Sequence, residues 1–365
     1  SIIMGFSRHK RWGLWLLMGG SVVAIYWMQS ATSIRHLDFW FPTASLALTV
    51  LVWAATRAQS EDNSQRSLSS ITVIAAILIT VIIVTIGLTR YLGSLCCLSP
   101  SRPPDILKIA AVIALVGTFS VIIIKLSPKS QLPANLLILL ILLLFLALKT
   151  EPGIRTASLW LRTLTGQSKD LATTFDLPWL GFSFLAFRLL HVLRDYQTRN
   201  LPTYSLREFV TYAVFFPAYT AGPIDRAQHF VGDLRKAFTF SSGDARAGGQ
   251  RLVMGAFKKF VLADSLAIFS LNEINAAQTT STLWTWVLLY TFALRIYFDF
   301  SGYTDIAIGL GQLMGVKLPE NFDRPYLKPN LTAFWNSWHI TLAQWFRSYF
   351  FNPLTRAMRT SRWSY

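Results

Sequence analysis

Five apolar runs in the first 150 residues constrain this chain more than any other feature. They cover residues 12–28, 37–56, 68–88, 106–126 and 132–148, and each is bounded by polar or charged residues. A helix of about 20 apolar residues crosses the hydrocarbon core of a bilayer. Inside the bilayer, backbone groups can be satisfied only within helices or closed barrels. The runs therefore predict an all-α fold and a polytopic integral membrane protein.

The composition agrees with this interpretation and narrows the partners. Charged residues make up 14% of the chain, whereas soluble domains carry about 25%. The formal net charge of +16 comes from basic residues that flank the apolar runs, as the positive-inside rule expects. The sequence has no basic stripe interleaved with aromatics in a soluble domain, so we expect the lipid bilayer as a partner and no nucleic acid.

The pattern changes near residue 177 and predicts three regions. Residues 1–150 form the plain transmembrane helices, 151–176 a polar connector with an interfacial helix at 157–164, and 177–365 a core. Apolar stretches in the core are short and interrupted by charges: 182–193, 209–221, 252–271, 283–300, 303–316 and 331–351. Such helices are tolerated only where they are buried in protein or line a cavity. We predict about ten helices in all, with the short and broken ones around a central polar cavity.

Two aspartates are the first candidates for chemistry. Asp299 and Asp305 lie in apolar surroundings, where a charge at mid-membrane costs roughly 2.5–3.5 kcal/mol. Such a residue faces a cavity or a partner, and Arg295 is the nearest candidate partner in sequence. The alternative is an ion pair that only holds broken helices together. Gly302 between the aspartates suggests either a break in the helix or a close approach of another backbone.

A second candidate region is the loop 318–326, where two prolines and alternating charges predict a turn at the membrane surface. Asn321 and Arg324 in this loop either bind a head group or fix the loop itself. We include both among the residues expected to line the cavity, together with Ser301, Tyr303, Trp335 and Trp338.

His339 is the strongest candidate for a reacting group. On a helix over 331–351, Trp335 and His339 are four residues apart and Asn336 and His339 three apart, so the three side chains would share a face. Histidine can act as a base near neutral pH, and aromatic surroundings favour its neutral form. The alternative is a histidine that is hydrogen-bonded within an aromatic belt at the membrane interface.

Three runs in this half resemble a known family. They are 298–311 (FDFSGYTDIAIGLG), 319–326 (PENFDRPY) and 334–342 (FWNSWHITL), and the loop 216–226 (FPAYTAGPIDR) supports them. Together they resemble the membrane-bound O-acyltransferase superfamily, closest to the branch with the alginate O-acetylase and the D-alanine transferase of teichoic acids. The resemblance covers roughly residues 177–353, whereas the first 150 residues match in hydropathy alone.

The resemblance implies a chemistry and a location. It implies acyl transfer from a cytoplasmic thioester, acyl-CoA or acyl-carrier protein, to a hydroxyl of an exported polysaccharide or surface polymer. The site would be a tunnel inside the bacterial cytoplasmic (inner) membrane, and a partner acyltransferase protein could hand on the acyl group. His339 would be the catalytic histidine, with Asn336 beside it, and neither a bound cofactor nor a metal would be needed.

The resemblance is incomplete at one position. The family carries a second histidine in a later helix, and this sequence has no histidine after His339. We therefore expect the protein to continue past Tyr365 into another apolar span that supplies this residue. Two other classes of protein compete with the enzyme: a transporter or channel, favoured by the intramembrane aspartates, and a non-catalytic scaffold of a polymer-export complex.

Overall fold

The computed structural model describes residues 10–57, 70–92, 100–236 and 241–360. Every regular element in these ranges is a helix, apart from one isolated β-bridge, so the all-α prediction is confirmed. The chain forms two compact units. The first comprises residues 1–220 and 226–232, and the second comprises residues 221–225 and 233–365.

The first unit begins with the predicted spans. Its helices are α1 (Lys10–Met28), α2 (Leu37–Thr56), α3 (Ser70–Leu88), α4 (Ile106–Leu126) and α5 (Leu132–Lys149). Four helices in the described part are long and apolar enough to cross a membrane, namely those over 37–56, 70–91, 106–126 and 132–149, and α1 carries a shorter apolar run. All five predicted runs form helices whose ends agree to within two residues, and for four of them the membrane-spanning length is confirmed. Most of α2 (72%) is buried inside the protein, against 11% of α4, so α2 is a core helix while α4 presents Leu and Ile outwards.

The polar connector forms helix α6 (Glu151–Leu164), which follows α5 after the single residue Thr150. Its inward face is polar, because Arg162 Nε donates to Asp176 Oδ2 at 2.8 Å and Ser158 Oγ donates to the same oxygen. Burial raises the pKa of Asp176, but these hydrogen bonds outweigh it and hold the pKa below its ordinary value. Trp160 points outwards and is 62% exposed. A helix with its ion pair inside and its tryptophan outside is what a position at the membrane interface predicts.

Three further helices complete the first unit: α7 (Phe182–Gln197), α8 (Leu206–Ala213) and α9 (Ala227–Arg235). Only the part of α9 up to Gly232 belongs to the first unit. Arg188 of α7 is buried, and its guanidinium donates to the carbonyls of Ala213 at 3.0 Å and Ala218 at 2.6 Å. The arginine thereby pairs with the last carbonyl of α8 and with a carbonyl of the 3₁₀ turn Phe216–Ala218 that follows it.

The second unit is built on two long helical runs. The first run is α10 (Ser242–Ala256), a π-helical segment (Phe257–Ala263) and α11 (Asp264–Ile268), and the second, after the short α12 (Glu273–Gln278), is α13 (Thr282–Leu313). The predicted separation into helices 283–300 and 303–316 is wrong, since α13 continues through Gly302 for 32 residues. This length corresponds to about 48 Å.

The end of the second unit consists of short helices: α14 (Leu331–Ser337), α15 (Ile340–Phe346), a π-helical turn (Arg347–Phe351) and α16 (Asn352–Thr360). The single helix predicted over 331–351 is therefore wrong at one place, because the chain breaks at Trp338 and His339. The reason lies in the contacts of the preceding loop, which form the candidate site.

Candidate active site

Glycines bring α10 and α13 into backbone contact. A Cβ atom on Gly255 would lie 2.7 Å from the carbonyl oxygen of Gly302, and one on Gly309 would lie 2.8 Å from that of Gly248. Gly248 and Gly255 are seven residues apart on α10, and Gly302 and Gly309 are seven residues apart on α13. The two contacts therefore lie on one face of each helix. Small residues allow helices to approach this closely in membranes. Of the two predicted roles of Gly302, close backbone approach is therefore confirmed and a break in its own helix is wrong.

This close approach gives the two aspartates basic partners. Lys258 Nζ lies 2.6 Å from Asp305 Oδ2, and Arg251 Nη2 lies 2.9 Å from Asp305 Oδ1. Lys259 pairs with Asp299 in the same way. The sequence-based choice of Arg295 as partner is wrong, since its guanidinium donates to Ser270 Oγ at 3.1 Å.

Four charged residues of this network escaped the sequence analysis, namely Arg251, Lys258, Lys259 and Glu320. Glu320 extends the network by pairing with Arg251. Arg251 and Lys258 are seven residues apart, like the glycines of the same helix. This shared spacing is the sequence feature that could have identified them as residues of the contact face. Because both carboxylates are paired, the network explains how α13 tolerates them near an apolar core.

The loop before α14 is joined to the chain at the helix break. Asn321 is fully buried, its carbonyl accepts from Ile340 N at 2.9 Å, and its Oδ1 accepts from Thr341 Oγ1 at 2.6 Å. Asp323 N donates to Ser337 O at 3.0 Å. These bonds pair the loop with residues 337–341 in an extended, ladder-like manner. The backbone there cannot also make helical hydrogen bonds, so α14 ends at Ser337.

Residues 221–225 belong to the second unit and contact the start of α15. Ile224 N donates to Thr341 Oγ1 at 3.1 Å, so the Gly-Pro segment, the loop and the start of α15 meet at one threonine. Thr341 was outside the predicted set of site residues, although it lies within the third quoted run.

His339 occupies the break itself. Its backbone is left-handed, with φ 45° and ψ 53°, and it immediately precedes α15. Its ring meets the ring of Phe300 on α13 edge-on, with centroids 4.8 Å apart. The predicted helical face shared with Asn336 and Trp335 is therefore wrong, because the chain is not helical at this point. Asn336 is exposed and accepts from Arg347 Nη2 at 3.3 Å, and Trp335 is 61% exposed.

Some buried polar atoms on the elements that meet at this contact have no hydrogen-bond partner. Within the described part of the second unit they are His339 Nε2, Asn321 Nδ2, Ser301 Oγ and Thr304 Oγ1. Thr304 lies four residues after Phe300 on α13 and three after Ser301, so it shares a face of the helix with each of them, whereas Ser301 directly follows Phe300 in the chain. Asn321 is bonded to the two residues that follow His339.

A group of four such atoms points to a ligand. More than nine in ten buried polar groups in proteins have a hydrogen-bond partner, and each one left unsatisfied costs about 1–3 kcal/mol. The four residues carry one imidazole nitrogen, one amide NH₂ group and two hydroxyls, which are groups that can bind a ligand. Such a molecule would present both donors and acceptors.

An aromatic cluster covers one side of this group. Trp338 is half-buried, stacks on Phe334 with centroids 5.6 Å apart and meets Phe322 edge-on at 5.1 Å. Phe322 in turn contacts Phe300 at 5.1 Å. These rings exclude water from one side of His339, which strengthens electrostatic interactions there.

Two other predicted residues lie at the edge of the arrangement. Arg324 is exposed and left-handed, with φ 45°, and it begins the 3₁₀ turn Pro325–Leu327. Tyr303 is half-buried on α13. Their roles as cavity residues stay predictions.

Comparisons with known proteins agree on one family. The family model described as MBOAT, membrane-bound O-acyltransferase family, matches residues 130–364. The teichoic acid D-alanyltransferase of Bacillus subtilis is 31% identical over 193 residues, covering 51% of this chain and 48% of that protein. The probable alginate O-acetylase AlgI of Pseudomonas aeruginosa is 36% identical over 195 residues, covering 53% and 36%.

A third relative is the peptidoglycan O-acetyltransferase of Helicobacter pylori, 36% identical over 162 residues, which cover 42% of this chain and 31% of that protein. The chain thus spans less than half the length of these curated relatives. The family match covers well over half of the chain itself and includes every residue of the second unit from Asp233 to Ser364. This chain belongs to the membrane-bound O-acyltransferase family.

Proposed function

We propose that this chain carries the acyl-transfer site of an enzyme that moves an acyl group from a thioester to a hydroxyl of an exported polysaccharide or other surface polymer. The observation that carries the proposal is the buried Nε2 of His339, which has no partner among the described residues. Three further unpaired polar atoms belong to α13, which contacts the His339 ring through Phe300, and to Asn321, which is bonded to the two residues after His339. The names of three relatives denote transfer to teichoic acid, alginate and peptidoglycan. The site would work in the bacterial cytoplasmic membrane.

The chemistry follows from a neutral imidazole. Its Nε2 accepts the proton of the acceptor hydroxyl while the hydroxyl oxygen attacks the thioester carbonyl carbon. The new C–O bond forms first and gives a tetrahedral intermediate with a negative oxygen. When this intermediate collapses, the C–S bond breaks and the proton passes to the leaving sulfur, so an ester and a thiol are the products. A positioned base contributes about 10²–10⁴-fold to such a reaction. The buried Nδ2–H groups of Asn321 are suited to stabilise the negative oxygen of the intermediate.

The substrates enter as the family implies. The donor is an acyl-CoA or acyl-carrier-protein thioester from the cytoplasm, and the acceptor comes from the outer side, where a partner acyltransferase protein can relay the acyl group. His339 either takes the proton itself or orients the reacting groups for a base supplied by another segment. The hydroxyls of Ser301 and Thr304 hold the acceptor in both cases.

The left-handed backbone of His339 determines how this proposal should be tested. A left-handed residue other than glycine costs roughly 1–2 kcal/mol, and asparagine tolerates this conformation best. His339→Ala therefore changes both the chemistry and the backbone strain, whereas His339→Asn changes mainly the chemistry. His36 offers a matched control, since it is also left-handed, with φ 63°, and immediately precedes a helix in the first unit.

The experiment compares Ala and Asn variants at both histidines in membranes that contain the full protein. Thiol release and ester formation are measured with acetyl-CoA and with D-alanyl carrier protein as donors. If His339 is the base, both of its variants lose at least about 10²-fold in kcat, while both His36 variants keep their activity. Substantial activity in His339→Asn would assign the orienting role instead. Full activity in a folded His339→Ala protein would overturn both roles.

A further inference from the structure

A cleft of about 340 Å³ lies in the first unit among α2, α3 and α4. Near the connection between α3 and α4 the two helices touch, and a Cβ atom on Gly87 would collide with the side chain of Ile109. Farther along α4, nothing lies within 4 Å of the place where a Cβ on Gly117 would be. Gly117 lines the cleft, so the two helices leave a gap here, and residues 43–53 of α2 form the wall behind it.

The mouth of the cleft opens sideways. Its lining includes Val73 and Ile77 on α3 and Val121 on α4, which are all exposed. The half-buried Ala47 and Val50 of α2 lie deeper. Both α3 and α4 are long and apolar enough to cross a membrane, so an opening between them faces the hydrocarbon of the bilayer.

The lining offers almost no free hydrogen-bonding groups. The hydroxyl of Thr43 donates to Phe39 O at 2.8 Å, and that of Ser120 donates to Val116 O at 2.7 Å. Apolar cavities of this kind stay dry and accept apolar molecules, and one of about 150 Å³ is enough for benzene. A larger apolar cleft that opens to hydrocarbon is suited to a flexible aliphatic chain.

The length of the cleft indicates which kind of aliphatic chain it binds. Its lining on α3 runs from residue 72 to residue 83, which is about 16 Å at 1.5 Å per residue. Half of the roughly 30 Å hydrocarbon core, the depth of one leaflet, has nearly the same length. We infer that the cleft binds one acyl chain of a bilayer phospholipid, which enters sideways between α3 and α4. This site lies in the first unit and is independent of the proposed acyl transfer.

The test uses the full protein in nanodiscs of phosphatidylethanolamine and phosphatidylglycerol, with a small fraction of phosphatidylcholine that carries a diazirine in mid-chain. After photolysis, mass spectrometry locates the adducts. We expect adducts on Ala47 and Val50, in addition to those on Leu139, which is 53% exposed and serves as the reference for surrounding lipid.

Two glycine variants decide between a bound chain and surrounding lipid. Gly117→Phe fills the cleft, so labelling of Ala47 and Val50 relative to Leu139 should fall at least about tenfold, since even two displaced methylene groups account for that factor. Gly20→Phe is the matched control, because Gly20 is exposed on α1 and also has nothing within 4 Å of its Cβ position. It should label like the wild type.

Labelling of Leu139 without labelling of Ala47 or Val50 in the wild type would overturn the inference, because only surrounding lipid would then be present. Equal labelling in the two glycine variants would overturn it as well. If Gly117→Phe does not reach the membrane, Val121→Trp at the exposed mouth replaces it, with the same expected loss.

Discussion

The contact between α10 and α13 allows a sharp test at Gly302. A Cβ atom there would lie 2.8 Å from Gly255 O and 2.8 Å from Lys259 N, and both are backbone atoms that cannot rotate away. Gly302→Ala therefore forces the helices apart. Overpacking costs roughly 1–3 kcal/mol, and the rigidity of the two atoms favours the upper end. Alanine regains about 1 kcal/mol of helix propensity, so the net loss is about 2 kcal/mol.

Gly249→Ala isolates the packing effect. Gly249 lies on α10 itself, and nothing is within 4 Å of its Cβ position, so this variant should gain about 0.5–1 kcal/mol. Thermal unfolding in detergent, followed by tryptophan fluorescence, should show an apparent Tm about 4–8 °C lower for Gly302→Ala, at about 2–4 °C per kcal/mol. For Gly249→Ala it should be unchanged or slightly higher. Equal Tm values for the two variants would refute the backbone contact.

Two further predictions concern buried polar groups. Thr304→Val removes a hydroxyl without a partner, so it should raise the free energy of unfolding by about 1 kcal/mol and also raise KM for the acceptor. Thr341→Val breaks the hydrogen bond to Asn321 and should lower the free energy of unfolding by about 1 kcal/mol. Equal Tm shifts for the two variants would contradict this assignment. Asp176→Asn should lower stability by about 3 kcal/mol at pH 7 by leaving Arg162 unpaired. Because the folded pKa of Asp176 lies below its unfolded value near 3.9, this contribution is present above that pH and is lost as the pH falls through the folded pKa. The Tm difference should therefore narrow below about pH 4, and a constant difference would argue against the pairing.

Local sequence was sufficient for the spanning helices. In α3 and α5 nearly every residue is apolar, and inside a bilayer such a run can satisfy its backbone only as a helix. Each helix is thus decided by its own residues, which is why its ends could be predicted closely. The three runs around Asp299, Asn321 and His339 likewise identified the family from residue order alone.

Tertiary contacts decided the site. Gly302 was expected either to break its helix or to permit close approach of another backbone, and the outcome depended on Gly255 of another helix. The partners of Asp305 come from positions 47 and 54 residues away. These pairings have no signature in the local pattern, because a charge near an apolar run only requires some partner and does not specify which one.

His339 was likewise identified by the local sequence, but its conformation was decided by tertiary contacts. The sequence selected His339 by its aromatic surroundings and its family pattern, and it assumed a helix because the residues on both sides favour one. The hydrogen bonds of Asn321 and Asp323 to residues 337–341 override that local preference. They turn His339 into a left-handed residue against Phe300 and away from the helical register of Asn336. Residue types were fixed by the sequence, but the direction of the side chain depended on backbone pairing with a distant loop.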